Sequence, residues 1–436
     1  MSAPSAFPVA QALTTRYFSH LLHYVRHPGL VYFDVVLPIA QSPAEHIEKL
    51  LIREHPYVLS MHVCAGMIAW TFASGTITGN YSSVDRLWSV VPAVYAWLFF
   101  LQAWPDFDYR LFALAAVTTI WASRLTFNFW RRGGYNGEED YRWPWLRSII
   151  KEPYGVVGAV AWHIFSFAFI SVYQCLLLWA IIVPIGLEVY TVRYRPKQVL
   201  SRTRSVYVPW THYDTAATVL ALACIALEAV ADNQQWTFQT QKHKLLAAER
   251  ARLDRGPSAV HTGRASASMS GKSVVAPSSG SDREILGRLP APYHIGFPTT
   301  GLFKYSRHAN YFGEISLWFC LHLYVVAATA TSTTLSVKPN LPFDAAVTLA
   351  LSADWSTLFV VTGRATARVA AIPLARWSLT GALNLLMLFN GSTAITEWIT
   401  ERKYPWYKEY VVRTSRWMPF FSGGEVVAPR KGPADS

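Results

Sequence analysis

Hydrophobic positions along this chain come in long unbroken runs, without the two- or four-residue rhythm of a soluble amphipathic fold. Runs of about 20 apolar residues fall at roughly 57–77, 88–104, 110–130, 156–187, 214–231, 311–330 and 374–396. A weaker run at 343–362 contains Asp344 and Asp354 and reads as a re-entrant segment or an eighth span. At about 1.5 Å of rise per residue, 20 residues of helix cross a hydrocarbon core of about 30 Å. The pattern predicts an all-α, polytopic transmembrane helical bundle of about seven spans.

The polar segments divide the chain around those runs. Residues 1–54 read as an N-terminal tail, 55–421 as the membrane-embedded domain and 422–436 as a loose C-terminal tail. Residues 247–290 interrupt the domain with "SAVHTGRASASMSGKSVVAPSSGSDRE", where Ser, Gly, Ala and Arg prevail and no apolar period exists. Such a composition builds no core and predicts a disordered insertion. The opening stretch lacks acidic residues and carries Arg16 and Arg26, a faint likeness to an organellar transit peptide, but it is read as a plain tail.

Composition agrees with the runs. The chain is 52% hydrophobic and only 15% charged, too apolar for an ordinary soluble enzyme of 436 residues. Tryptophans rim the spans, as Trp88 with Trp104, Trp121 with Trp130, then Trp318 and Trp377, a placement expected of interfacial anchors. The net charge of +12 would point a soluble protein to nucleic acid; here it is read through the positive-inside rule, with no nucleic-acid partner. With seven spans, the side holding the C-terminus carries 24 of the 39 Lys and Arg and the other side 13, so the C-terminus is expected in the cytosol. Eleven of those 24 belong to one long loop, where the rule weighs less. Cys64, Cys175, Cys224 and Cys320 lie far apart inside apolar runs, and their spacing indicates neither a disulfide framework nor a metal site.

The chemistry sits where the runs end. Asp85 and Arg86 precede the second span; "RLTFNFWRRGGYNGEEDYRW" (124–143) closes the third; Glu228 and Asp232 close the fifth; "SRHANYFGE" (306–314) opens the sixth; Glu397 and Glu401 close the seventh. Alternation of the spans puts all of these on one side. Glu228 with Asp232, and Asn310 with Glu314, are four apart and share a helical face. Ionisable groups at membrane depth are costly unless they pair or line a cavity, so a shared polar site is expected there. GxGxxG, Walker, HExxH and GxSxG signatures do not occur. Arginines suit phosphates, carboxylates suit ribose hydroxyls and amides, and aromatics suit an adenine face, which together would hold a nucleotide cofactor beside a lipid-soluble substrate.

"GLFKYSRHANYFGEISLW" (301–318) resembles the signature of the steroid 5-alpha-reductase C-terminal-domain family, in particular its branch of multi-span proteins formerly called domain of unknown function 1295. "RLTFNFWRRGGYNGEEDYRW", "EAVADNQQWTF" and "ERKYPWYKEYVVRTSRWMPFF" follow the same branch in order. The resemblance implies a membrane reductase of the endoplasmic reticulum in which NADPH reduces a carbon–carbon double bond conjugated to a carbonyl, in a small hydrophobic substrate, sterol-like or enoyl. It implies nucleotide contacts from Asn310, Glu314, Tyr305 and Tyr311, with Glu228 and Asp232 on the cofactor side, and phosphate contacts from Arg307, Arg131 and Arg132. In the steroid enzymes a Tyr near the third cluster meets the carbonyl oxygen. Here "TFNFW" supplies Phe127, Asn128 and Phe129, so Tyr135, just beyond, takes that catalytic role with Glu314. Ala309 stands where the family usually has Pro. Two alternatives stay open. Isoprenylcysteine carboxyl methyltransferases, which bind S-adenosylmethionine, carry a similar Arg-His element, and a non-catalytic lipid-binding protein could keep the same architecture.

Overall fold

The structure is a computed structural model that describes residues 6–27, 37–42, 45, 54–140, 142–195, 204–205, 209–254, 280–334 and 377–423. Its elements are almost entirely helical. They are α1 (Phe7–Arg26), α2 (Pro56–Thr78), α3 (Val91–Gln102), α4 (Tyr109–Arg131), α5 (Arg142–Ile150), α6 (Gly155–Phe165), α7 (Gln174–Ala180) and α8 (Val183–Arg193). There follow α9 (His212–Asp254), α10 (Gly280–Gly287), α11 (Ala309–Thr334), α12 (Thr380–Lys403) and α13 (Tyr407–Arg413). A π-helical stretch, Ser166–Tyr173, joins α6 to α7. Among the described residues the extended structure is a two-residue antiparallel ladder, Tyr194–Arg195 with Arg204–Ser205, and an isolated bridge between Ser306 and Ser415.

Among the described residues, each of the seven apolar runs falls mainly on helix. By length and composition four helical stretches can cross a membrane: Pro56–Thr78, Arg142–Val192, His212–Leu253 and Ala309–Thr329. The run at 88–104 yields only the 12 residues of α3, while α4 and α12 reach spanning length with more polar side chains. The weaker run at 343–362 lies outside the described residues. Apolar side chains also face outward in rows. Val156, Val160, Ile164 and Phe167 recur at helical spacing and are all exposed, which in water would be a large unfavourable patch and in lipid is the expected surface. The protein is an integral, all-α membrane protein.

Local signals place the helix ends. His55 accepts the Tyr57 amide to cap α2, Pro56 opens it, and Gly79 closes it in the left-handed region. Asp108 caps α4 by accepting the Arg110 and Leu111 amides at 2.9 and 3.0 Å.

The chain forms two compact units, one of residues 1–127, 146–222 and 317–385 and the other of 128–145, 223–316 and 386–436. The first is filled by Tyr95, Phe99, Phe100, Leu111, Leu114, Trp121 and Trp318. The Trp121 and Trp318 rings meet edge-on at 4.9 Å, so these two are core residues and not the rim anchors expected of them. Trp104 and Trp130 are exposed, as anchors should be. Arg110 and Asp214 form a bidentate pair, 2.7 Å at both contacts, and the Pro209 carbonyl and Thr211 complete the shell. That shell is what makes two buried charges tolerable. The expected N-terminal tail contains α1, which packs on α2. Of the expected insertion, 247–254 continues α9 and 280–287 forms α10; residues 255–279 lie outside the described residues.

Candidate functional site

The second unit gathers most of the residues singled out by the sequence. Its spine is a seam between α9 and α11. Asn310 donates to Asp232 Oδ1 at 3.3 Å. Three residues further along α11, a Cβ on Gly313 would sit 2.5 Å from Glu228 Cγ and 3.1 Å from the Cys224 carbonyl. In the other direction, the Leu302 amide donates to Gln234 Oε1 at 2.9 Å. Rising numbers on one segment meet falling numbers on the other, so the two run antiparallel. The missing side chain at Gly313 lets the backbones close up. Glu228, Asp232 and Glu314 are all buried, and Asn310 and Tyr311 half-buried. The two i, i+4 pairs read from the sequence thus meet, Glu228 and Asp232 from one helix, Asn310 and Glu314 from the other.

The start of α11 is held from its other side. The Arg307 and His308 amides donate to the Ser415 and Arg416 carbonyls at 2.9 and 3.2 Å. The Arg307 side chain turns inward: Nε donates to Glu397 Oε1 at 2.7 Å and Nη2 to Oε2 at 3.4 Å. Its Nη1 donates to the Val411 carbonyl at 2.9 Å and to the Thr414 carbonyl, which fills orphan acceptors at the end of α13. His308 Nε2 lies 3.0 Å from Glu397 Oε1 and Arg416 Nη2 3.1 Å from Oε2. Burial opposes ionisation of Glu397, but hydrogen bonds from His308 and Arg307 and the Arg307 charge outweigh it and hold the carboxyl down at about 2. This corrects the expectation that Arg307 serves a phosphate: its guanidinium is buried and spent on Glu397 and two carbonyls.

Residues 128–145 bring the other arginines. Gly133, at φ 84°, makes the turn after α4. Arg131 Nε donates to Asn128 at 2.9 Å and Nη1 to Asn233 at 3.4 Å, with the guanidinium 5.2 Å from the Trp236 ring centre. Arg132 is largely exposed and stands 3.9 Å from Asp232. Asn128, Asn233 and Trp236 were not assigned a role from sequence; they become legible only once 128–145 and α9 are in one unit. Tyr135 is partly exposed, its ring edge-on at 5.1 Å to Phe129 in the last turn of α4. Tyr305 is exposed. Tyr311 stacks on His308 at 5.5 Å and meets Phe389 at 4.6 Å.

An aromatic cluster closes the unit: Ile295, Phe297, Tyr404, Tyr407 and Tyr410 are buried together. Tyr410 donates to the Phe303 carbonyl. Lys242 donates to the Gly296 carbonyl at 3.0 Å and lies 3.3 Å from the Tyr404 hydroxyl. Burial pushes the Tyr404 phenol up to about 12, so it stays a neutral packing group whose hydroxyl accepts from Lys242. Glu397 is the residue whose importance sequence reading missed. The i, i+4 pairing with Glu401 was visible, but Arg307 lies 90 residues before Glu397 and Arg416 lies beyond α13.

A helical membrane bundle with a buried carboxylate–amide seam flanked by arginines defines the class. The chain belongs to the family described as protein of unknown function DUF1295, whose match spans residues 71–351. It is 26% identical over 374 residues to an uncharacterized protein of Schizosaccharomyces pombe, covering 85% of this chain and 81% of that protein. No solved structure matches.

Proposed function

We propose that the protein is an NADPH-dependent reductase that saturates a conjugated carbon–carbon double bond in a lipid-soluble, sterol-like or enoyl substrate. The reading includes its resemblance to the steroid 5-alpha-reductase C-terminal-domain family, residence in the endoplasmic reticulum and a cytosolic C-terminus. The observation that carries it is the seam itself: Asn310 bonded to Asp232, with Glu228 and Glu314 buried on the same two helices. Amides and carboxylates of this kind suit the carboxamide and ribose hydroxyls of a nicotinamide nucleotide.

The residues present fit the cofactor at both ends. Asn310, Asp232 and Glu314 would hold the polar groups of the nucleoside. Arg132, exposed and only loosely paired, and Arg131, lying over Trp236, would take phosphate. Arg307 is left out of that set and instead fixes the start of α11. Bound NADPH supplies hydride to the β-carbon of the substrate. Glu314 or Tyr135 would hydrogen-bond the substrate's carbonyl oxygen as negative charge develops there, and a single proton, delivered to the α-carbon through water, would complete the reduction.

The test is cofactor binding by the purified protein in detergent. NADPH, NADH and S-adenosylmethionine are titrated against the wild type and against the Asn310→Ala, Glu314→Ala double variant. Saturable NADPH binding that is lost in a folded double variant is the expected result. Binding of the methyl donor alone would move the protein to the transferase class, and binding of none of the three would leave a non-catalytic membrane protein.

A further inference from the structure

Helix α1 has a surface that the reductase reading does not use. At about 3.6 residues per turn its side chains sort into three arcs. Ala6 and Ala10 are buried, and with Leu13 and Tyr17 form the arc packed on the protein. Thr14 and the Tyr57 hydroxyl share a 2.9 Å hydrogen bond, and the Tyr17 and His62 rings meet edge-on at 5.0 Å. Phe7, Phe18, Leu21, Leu22 and Val25 fall within roughly 100° of one another on the wheel. All five are exposed, Val25 at 69% and Phe18 at 51%. Arg16, Ser19, His20, His23, Arg26 and His27 occupy the remaining arc and are also exposed.

Two further facts identify what covers the apolar arc. Tyr57 and His62 lie in the first two turns of the spanning helix α2, and Phe7 packs on Trp377, three residues before α12 begins. Helix α1 therefore rests on the starts of two long helices, the level at which a spanning helix leaves the hydrocarbon. Its charge is also one-sided: no acidic residue precedes Asp34, while Arg16 and Arg26 sit on the outer arc. A 20-residue helix could reach across a bilayer, but Arg16 and two histidines along its length oppose that, and it is not among the helices apolar enough to span.

We propose that α1 lies in the plane of the membrane, its apolar arc in the acyl region and its basic arc bound to the headgroups of anionic lipids. Opposite charge and a graded apolar-to-basic circumference suit a lipid surface. A protein partner would have to match both arcs at the edge of a spanning helix.

The test uses the full chain in vesicles, with a fluorophore at Val25→Cys or at Ser19→Cys after the four native cysteines are replaced by Ala. In phosphatidylcholine with phosphatidylglycerol, the position-25 probe should lose most of its emission to brominated acyl chains and resist iodide several-fold better than the position-19 probe. Removing phosphatidylglycerol, or adding salt, should reduce the acyl-chain quenching, and Arg16→Gln with Arg26→Gln should abolish that dependence. Free iodide access at position 25 overturns the proposal. So does shielding there from both quenchers, which would mean a second copy or a protein partner. Identical quenching with and without phosphatidylglycerol overturns the anionic-lipid assignment. If the cysteine-free chain does not fold, a fluorescent amino acid incorporated at the same two positions gives the same readout.

Discussion

Arg307 Nε donates to Glu397 Oε1 at 2.7 Å, joining positions 90 residues apart. That contact explains why the start of α11 carries so many polar groups. Arg307 and His308 bind Glu397 on one side, and Asn310 binds Asp232 on the other. One short segment is anchored from two directions.

Glu397→Gln removes the charge that Arg307, His308 and Arg416 share. Breaking a buried pair from one side costs about 3–5 kcal/mol, because the remaining charge stays desolvated. The expected outcome is a thermal midpoint several degrees below that of the wild type in detergent. Replacing both partners, Arg307→Met with Glu397→Leu, should cost less than the sum of the two single changes. A double-mutant cycle read by thermal unfolding checks the coupling.

The same carboxylate predicts a pH response. Its folded value, about 2, lies below the unfolded carboxylate value of 4.5. The unfolded chain therefore binds the proton first, and the stability that Glu397 contributes is complete above the unfolded value. It is lost as pH falls from 4.5 through about 2. Arg307, His308 and Arg416 face the carboxylate throughout, and Tyr407, whose phenol burial holds above its ordinary value, lies in the same field. The difference in melting temperature between wild type and Glu397→Gln should shrink when pH is lowered from neutrality to about 3. A constant difference would show that charge is not what the pair contributes.

Asp232 is placed to matter to the proposed cofactor. It meets Asn310 at 3.3 Å, and the exposed Arg132 stands 3.9 Å away. Asp232→Ala is expected to weaken NADPH binding about tenfold, the value of roughly one lost hydrogen bond. Arg132→Ala should weaken NADPH and leave NADH nearly unchanged if that guanidinium takes the 2′-phosphate. Isothermal titration of both nucleotides against each variant decides it.

Helical membrane architecture was legible because a run of apolar residues has one physical outcome in lipid, and among the described residues each of the seven runs is mainly helix. The i, i+4 carboxylate and amide pairs were legible for the same kind of reason: helical spacing fixes a face. What could not be read was which face meets which. Arg307 looks like a phosphate ligand in "SRHANYF" and becomes a structural cation only when Glu397 is brought beside it. Trp121 and Trp318 look like rim residues until their rings meet in the core. The N-terminal segment was read as a plain tail because its apolar positions recur at helical intervals and form no unbroken run.

Gly313 sets how close α9 and α11 come. An alanine there would place its Cβ 2.5 Å from Glu228 Cγ and 3.1 Å from the Cys224 carbonyl. Glu228 is buried and cannot simply swing away, and the carbonyl belongs to a helix backbone. Gly313→Ala must therefore part the two helices by several tenths of an ångström, at a cost of about 1–3 kcal/mol for overpacking. That displacement moves Asn310 relative to Asp232 before it disturbs anything near Glu397. NADPH affinity should accordingly fall further than thermal stability, opposite to the order expected for Glu397→Gln. Measuring midpoint and NADPH affinity on both variants separates a seam that holds the ligand from an anchor that holds the helix.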